Sequence, residues 1–218
     1  MIGTFPALKL NIDDYPALKR YFLDNFDIRQ LEQSGKKYPE LGFDARKKTG
    51  NKWFETQDQI AYYPEFEKEK VVWGNISYNS QFSFVEGGIF INAPANLIVS
   101  NSVSIKFLVG LMNSKIFDRE FKRVGIFLGH AFEWKKQYVE QVKIPPITPN
   151  NEPIVKQIEA LVDKILEAKQ SSSSIPAGES MRSKDASATL EIEREIDELV
   201  YSLYGLTEEE IKIVEGEK

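Results

Sequence analysis

The chain has 218 residues, 42% of them hydrophobic and 12% aromatic, which suffices for a sizeable core and makes a folded rather than a disordered chain the expectation. It has no cysteine and a single histidine, so disulfides, thiolate zinc sites and most imidazole-based metal centres or triads are excluded. The net charge of -5 hides an uneven distribution: residues 1–150 carry 20 Lys and Arg against 17 Asp and Glu, whereas residues 151–218 carry 8 against 16.

No apolar run approaches the roughly 20 residues needed to span a bilayer, and MIGTFPALKL lacks the charged start and apolar centre of a secretory signal. A soluble, cytoplasmic protein without a membrane partner is expected. Along the chain, Asp13 and Asp14 before Pro16, then Leu18, Tyr21, Phe22 and Leu31 at helical spacing, predict a first helix over about Tyr15 to Gln33. GKKYPELGFDARKKTGNKW has no sustained period and reads as a basic loop. From Val71 onward the runs VVWGNIS, QFSFV, GIFIN and NLIVSN predict a meander of short strands.

SVSIKFLVGLMNSKIFDREFKRVG places Ile105, Leu108, Met112 and Ile116 on one face, which predicts a helix capped at Asn101 or Ser102 and ended by Gly125. After it, KKQYVEQVKIPPI predicts a last strand terminated by Pro145 and Pro146. EPIVKQIEALVDKILEAK and TLEIEREIDELVYSLYGL carry helical apolar stripes and predict an antiparallel hairpin around a flexible Ser-rich loop over 170–187. Thr207 followed by Glu210 predicts a capping box that opens a short final helix. The expected fold is α+β, a short-stranded mixed sheet with packed helices over 1–150, followed by a helical hairpin or spacer over 151–218.

Catalytic material is scarce. Glu65, Glu67, Glu69 and Lys70 could be forced into the pattern of a magnesium-dependent nuclease strand, but a charged strand edge that blocks aggregation accounts for the same residues. His130, in GHAF, lacks accompanying ligands or a nucleophile. IPPI lacks the leading Asn or Asp and the closing aromatic of a motif that holds a flipped base. Gly87-Gly88 reads as a tight turn rather than a phosphate cradle.

The order of parts carries more than any one motif. KWFETQDQIAYYPEFEKEKVVWGNIS, QFSFV, LVGLMNSKIFDREFK, KKQYVEQVKIPPI and EIDELVYSLYGLTEEEIKIVE, taken in sequence from about Asp13 to Glu215, resemble the TaqI-like C-terminal specificity domain. The resemblance implies a target-recognition module of a type IIG restriction-modification enzyme or N6-adenine DNA methyltransferase. The partners implied are double-stranded DNA and a methyltransferase domain in cis or as a separate subunit. The chain itself would have no catalytic residue, cofactor or metal; S-adenosylmethionine, and magnesium where a nuclease is present, would bind the domains it lacks. The beginning of the chain near the family's domain boundary favours a fragment.

Base edges are read by amide, hydroxyl and guanidinium groups, while Lys and Arg hold phosphates and set the register. Asn75, Ser77, Tyr78, Asn79 and Gln81 are the base-reading candidates, although a plain polar turn would use the same residue types. Arg119, Lys122, Arg123, His130, Trp134, Lys135 and Lys136 are the phosphate or backbone candidates. Within GHAFEWKK, Phe132 or Trp134 could pack on a sugar or base step, although burial is the ordinary fate of Trp53, Trp73 and Trp134. The alternative functions are a protein-interaction module and the small nuclease.

Overall fold

The computed structural model describes residues 3–173 and 179–216, with side chains described outside 171–188. The chain forms two compact units, Met1–Glu65 and Phe66–Lys218.

In the first unit, α1 (Pro16–Asn25) is separated from α2 (Ile28–Leu31) by an extended Phe26, so the single helix expected to Gln33 is two. The break is local chemistry: the Asp27 carboxylate accepts from the Arg29 N–H at 2.9 Å and starts a new helix. The stretch expected to be a loop contains a hairpin, β1 (Lys37–Tyr38) against β2 (Phe43–Asp44), joined through Pro39–Leu41 and a left-handed Gly42. Phe54, Ala45 and Ile12 are buried in this unit. Two amide side chains of the Trp53 region are held locally: Asn51 Nδ2 donates to the Thr56 and Gln57 carbonyls, and Gln59 donates to Asn51.

The second unit contains two three-stranded sheets, each with antiparallel pairing. β3 (Lys70–Trp73) lies in one sheet and β4 (Ile76–Ser77) in the other; β5 (Ser83–Val85) and β6 (Asn96–Ile98) complete the first, in the order β5-β3-β6. The expected meander is therefore split, and GIFIN forms no strand. The expected central helix is likewise two: α3 (Ile105–Met112), capped by Ser104, and α4 (Lys115–Val124), capped by Ser114 and ended by Gly125. Asn113 and Ser114 break it because their side chains take over backbone hydrogen bonding at the junction.

β7 (Ile126–Phe127) and β8 (Phe132–Glu133) complete the second sheet in the order β4-β8-β7. The strand expected before Pro145 is replaced by a helical turn, α5 (Lys136–Val139), and an irregular segment, in keeping with prolines that cannot donate to a ladder. α6 (Glu152–Ser173) and α7 (Glu179–Tyr204) form the helical hairpin, and α8 (Glu208–Glu215) begins with the expected Thr207/Glu210 capping box. Helix occupies much of the stretch read as a Ser-rich loop. Its Ala, Met, Arg and Lys residues favour helix, and each Ser costs at most about 0.7 kcal/mol. Residues 174–178 of that loop lie outside the described residues.

The fold is α+β with packed helices, as expected, but the division expected at 150 is not a division between cores. Val71, Trp73, Phe107, Leu111 and Trp134 share one apolar cluster with Ile158, Val162, Ile196 and Val200 of the helical hairpin. Gly110 explains how closely these helices approach. A Cβ there would lie 2.7 Å from Ile158 Cγ2 and 3.1 Å from Val162 Cγ2.

Candidate nucleic-acid interface

The polar turn that follows β4 is held from beneath by the α3–α4 junction. Asn113 Nδ2 donates to the Phe82 carbonyl at 2.7 Å and its Oδ1 accepts from the Phe82 N–H at 2.9 Å, so one amide clamps the chain like a β-bridge. The Asp118 carboxylate accepts from the Ser80 N–H at 2.7 Å. Asp118 also pairs with Lys122 at 2.6 Å, and Lys122 Nζ donates to Asn79 Oδ1 at 2.7 Å. A connected network therefore fixes the backbone from Asn79 to Phe82, which preorganises whatever its side chains meet.

The five base-reading candidates separate into two groups. Asn75 and Ser77 are structural: Asn75 Oδ1 accepts from Asn96 at 2.6 Å, the Asn75 carbonyl accepts from the Trp134 N–H, and Ser77 Oγ donates to the Asn79 carbonyl. Tyr78, Asn79 and Gln81 are exposed. Asn79 keeps its amide N–H groups, and the Gln81 amide has no hydrogen-bond partner among the described residues.

Trp134, a candidate for the surface clamp whose ordinary fate is burial, is core. It is 1% exposed, stacks on Phe121 with centroids 3.6 Å apart, and meets Phe82 edge-on. Its Nε1–H donates to the Ser77 carbonyl at 3.0 Å, and its own carbonyl accepts from Trp73 Nε1 at 2.6 Å. Phe132 is half-buried between Phe127, at 5.0 Å, and Tyr78, at 6.5 Å. The rings that reach solvent are instead Phe127, 52% exposed, and Tyr78, 61% exposed, with Ile76, Ile126 and Leu128 also exposed. The Leu128 N–H donates to the Ala131 carbonyl at 2.7 Å and Gly129 adopts φ 88°, giving a tight turn that carries the exposed His130. These apolar positions carry no hydrogen-bonding pattern, which is why the polarity of the sequence points elsewhere.

The cations around this sheet are engaged. Arg119 donates to the Ile213 carbonyl at 2.9 Å, Arg123 pairs with Glu120 at 3.1 Å, Lys135 with Glu133 at 2.6 Å and Lys136 with Glu140 at 3.3 Å. Lys122 also lies 4.9 Å from the Tyr78 ring. Its hydrogen bond and aromatic contacts make it a brace for Tyr78 and Asn79. Side-chain hydrogen bonding and charge from Glu133 raise the Lys135 pKa.

The nuclease alternative fails at its lysine. Lys70 is fully buried on β3 and donates to the Glu86 carbonyl at 2.8 Å, with desolvation lowering its pKa. Among the described residues no group of three His, Asp or Glu side chains is arranged to hold a metal ion. No helix among them is long and apolar enough to cross a membrane.

The family model of the TaqI-like C-terminal specificity domain matches residues 17–147, and the chain belongs to that family. No curated protein matches the chain. The matched span contains the second-unit sheets, the polar turn and the β1–β2 hairpin, and ends before α6.

Proposed function

We propose that this chain is a sequence-specific double-stranded DNA recognition module of a restriction-modification N6-adenine methyltransferase or type IIG enzyme. Membership of the specificity-domain family carries the proposal. The braced turn at Asn79–Phe82, with polar tips beside exposed rings, suits it: rigid donors and acceptors discriminate base edges better than mobile ones.

In this proposal Tyr78, Asn79 and Gln81 face the bases, while Phe127 and Tyr78, rather than Phe132 and Trp134, pack on a sugar or base step. Lys135 and Lys136 exchange their carboxylate partners for phosphates, and His130 lies at the tip of the adjoining turn. S-adenosylmethionine, and magnesium where cleavage occurs, belong to a methyltransferase or nuclease domain in cis or in a partner subunit. The chain's own glycine pair does not fit such a group. A Cβ at Gly87 would lie 2.3 Å from the Glu67 carbonyl oxygen, and the Gly88 N–H donates to the Phe66 carbonyl, so both glycines serve a packed turn.

The test is enrichment from a pool of randomised duplexes. The chain should select one short sequence, and Asn79→Ala or Gln81→Ala should each cost about 1–3 kcal/mol on that sequence while leaving random-duplex affinity nearly unchanged. Recovery of an unenriched pool, with the chain bound to duplexes, would refute sequence readout.

A further inference from the structure

The first unit contains a cationic surface of a different kind. Residues 34–52 carry six Lys and Arg against two Asp and Glu. Folding places four of those lysines on one hairpin, Lys37 on β1 with Lys36 immediately before it, and Lys47 and Lys48 on the chain leaving β2, and all four are exposed. The pairing extends beyond the two strands: the Ala45 N–H donates to the Lys36 carbonyl, the Gly35 N–H to the Arg46 carbonyl, and the Thr49 N–H to the Gln33 carbonyl.

The base of this hairpin is rigid. Arg46 turns inward, donating to the carbonyls of Leu31, Trp53 and Glu55, and desolvation lowers its pKa. Gln33 is buried, donates to the Glu55 carbonyl at 2.8 Å and accepts from the Thr49 hydroxyl at 2.5 Å. Gly35 adopts φ 68°, and a Cβ there would lie 3.3 Å from Lys48 Cβ, so the two lysine-bearing segments run in close contact. The arginine of the basic run is thus a structural pin, and the lysines are what the pin presents. None of the four makes an ion pair among the described residues, including Lys37, which stands opposite Asp44 in register.

We infer that the exposed lysines Lys36, Lys37, Lys47 and Lys48 of the β1–β2 hairpin hold nucleic-acid phosphates and supply much of the sequence-independent, salt-dependent part of DNA binding. The inference rests on the DNA-recognition proposal and adds a second surface with a separate role. An ammonium without a carboxylate partner can meet a phosphate with no ion pair to break, and each contact releases condensed counterions. A rigid hairpin loses little freedom when its lysines are engaged. Phosphate contacts of this kind fix register and leave sequence choice to other residues.

The experiment is a salt titration of the 218-residue chain on a random-sequence duplex and on its selected duplex, comparing the unaltered chain with the fourfold variant Lys36→Gln, Lys37→Gln, Lys47→Gln, Lys48→Gln. Removing one lysine–phosphate contact should reduce the slope of log affinity against log salt by about 0.9, so removing four should reduce it by about 3.6. Affinity should fall by a similar factor on both duplexes. The corresponding fourfold Lys→Arg variant should keep the slope, and circular dichroism should show both variants folded, since all four side chains are exposed. An unchanged slope in the folded Gln variant, or a weakening confined to the selected duplex, overturns the inference while leaving DNA recognition standing. Failure of the unaltered chain to bind any duplex at low salt overturns both.

Discussion

Replacing Trp134 by alanine separates a core residue from a DNA contact more cleanly than any surface change. The ring is 1% exposed, lies 8° from parallel over Phe121, and is closed on another side by Phe82. Truncating a buried Trp typically costs about 3–5 kcal/mol through forfeited transfer free energy and the cavity left behind. Set against a domain stability of about 5–15 kcal/mol, that is a substantial fraction of the total. The effect should also reach the interface, because the indole N–H holds the Ser77 carbonyl at 3.0 Å, immediately before the polar turn. Trp134→Phe keeps part of the stack but removes three ring atoms together with that donor, so it should cost less than Trp134→Ala, about 1–3 kcal/mol from the smaller cavity and the lost hydrogen bond. Urea denaturation followed by far-ultraviolet circular dichroism measures both. If Trp134→Ala keeps the original midpoint and loses only DNA binding, the ring lies at the surface and the packing described above is wrong.

Three other perturbations probe different links. Gly110→Ala should lower stability by about 1 kcal/mol by urea denaturation, because about 1–3 kcal/mol of overpacking against Ile158 outweighs up to about 1 kcal/mol of helix propensity; a gain would show that α6 gives way freely. Asp197, raised to about 6 chiefly by burial, accepts from the Lys115 N–H at 2.8 Å and lies near Lys115, Glu215 and Glu193. Its folded pKa exceeds its ordinary value, so its contribution to stability is present at low pH and is lost as pH rises through about 4 to 6. Thermal melts across that window should show Asp197→Asn removing this pH dependence and melting no lower than the parent at pH near 7; a parent that gains stability on that rise relative to the Asn variant refutes it. Lys122→Ala, which frees Asn79 and Tyr78, should weaken selected-duplex binding more than random-duplex binding in a competition assay; an equal weakening would make it a phosphate contact instead.

The sequence is most legible where local chemistry decides the outcome. The Thr207 cap, the Gly125 stop and the apolar stripes of α6 and α7 can be read because each depends on residues a few positions apart. The breaks at Asp27 and at Asn113-Ser114 have capping residues in plain view, but an uninterrupted apolar period runs across both and hides them. The split of the strands into two sheets is not legible. It depends on β3 pairing with β6 and β4 with β8, contacts between residues far apart along the chain that no short-range pattern encodes. Trp134 shows the same limit from another side: a tryptophan flanked by GHAFE and KK has a surface-like neighbourhood, and contacts with Phe121 and Phe82, distant in sequence, bury it.

Charge is the most misleading local signal, because a sequence reports how many cations there are and not what they already hold. Lys135 and Lys136 look like a phosphate clamp, yet Glu133 and Glu140 lie within ion-pairing distance. Such exposed pairs are worth only about 0–1 kcal/mol, so a phosphate can displace the carboxylate. The displaced carboxylate then remains beside the phosphate and repels it, so the net gain is smaller than for a lysine that starts alone. Asp118 and Glu120 place the same burden on Lys122 and Arg123. The hairpin lysines carry no paired carboxylate among the described residues, although the basic run that contains them looks in the sequence like an unstructured loop. If duplex binding draws on both surfaces, removing the paired lysines should change the salt slope less per residue than removing the unpaired ones. Comparing Lys135→Gln, Lys136→Gln with Lys47→Gln, Lys48→Gln in the same titration tests that, and a larger slope change from the paired residues would show that local pairing does not govern phosphate contact in this protein.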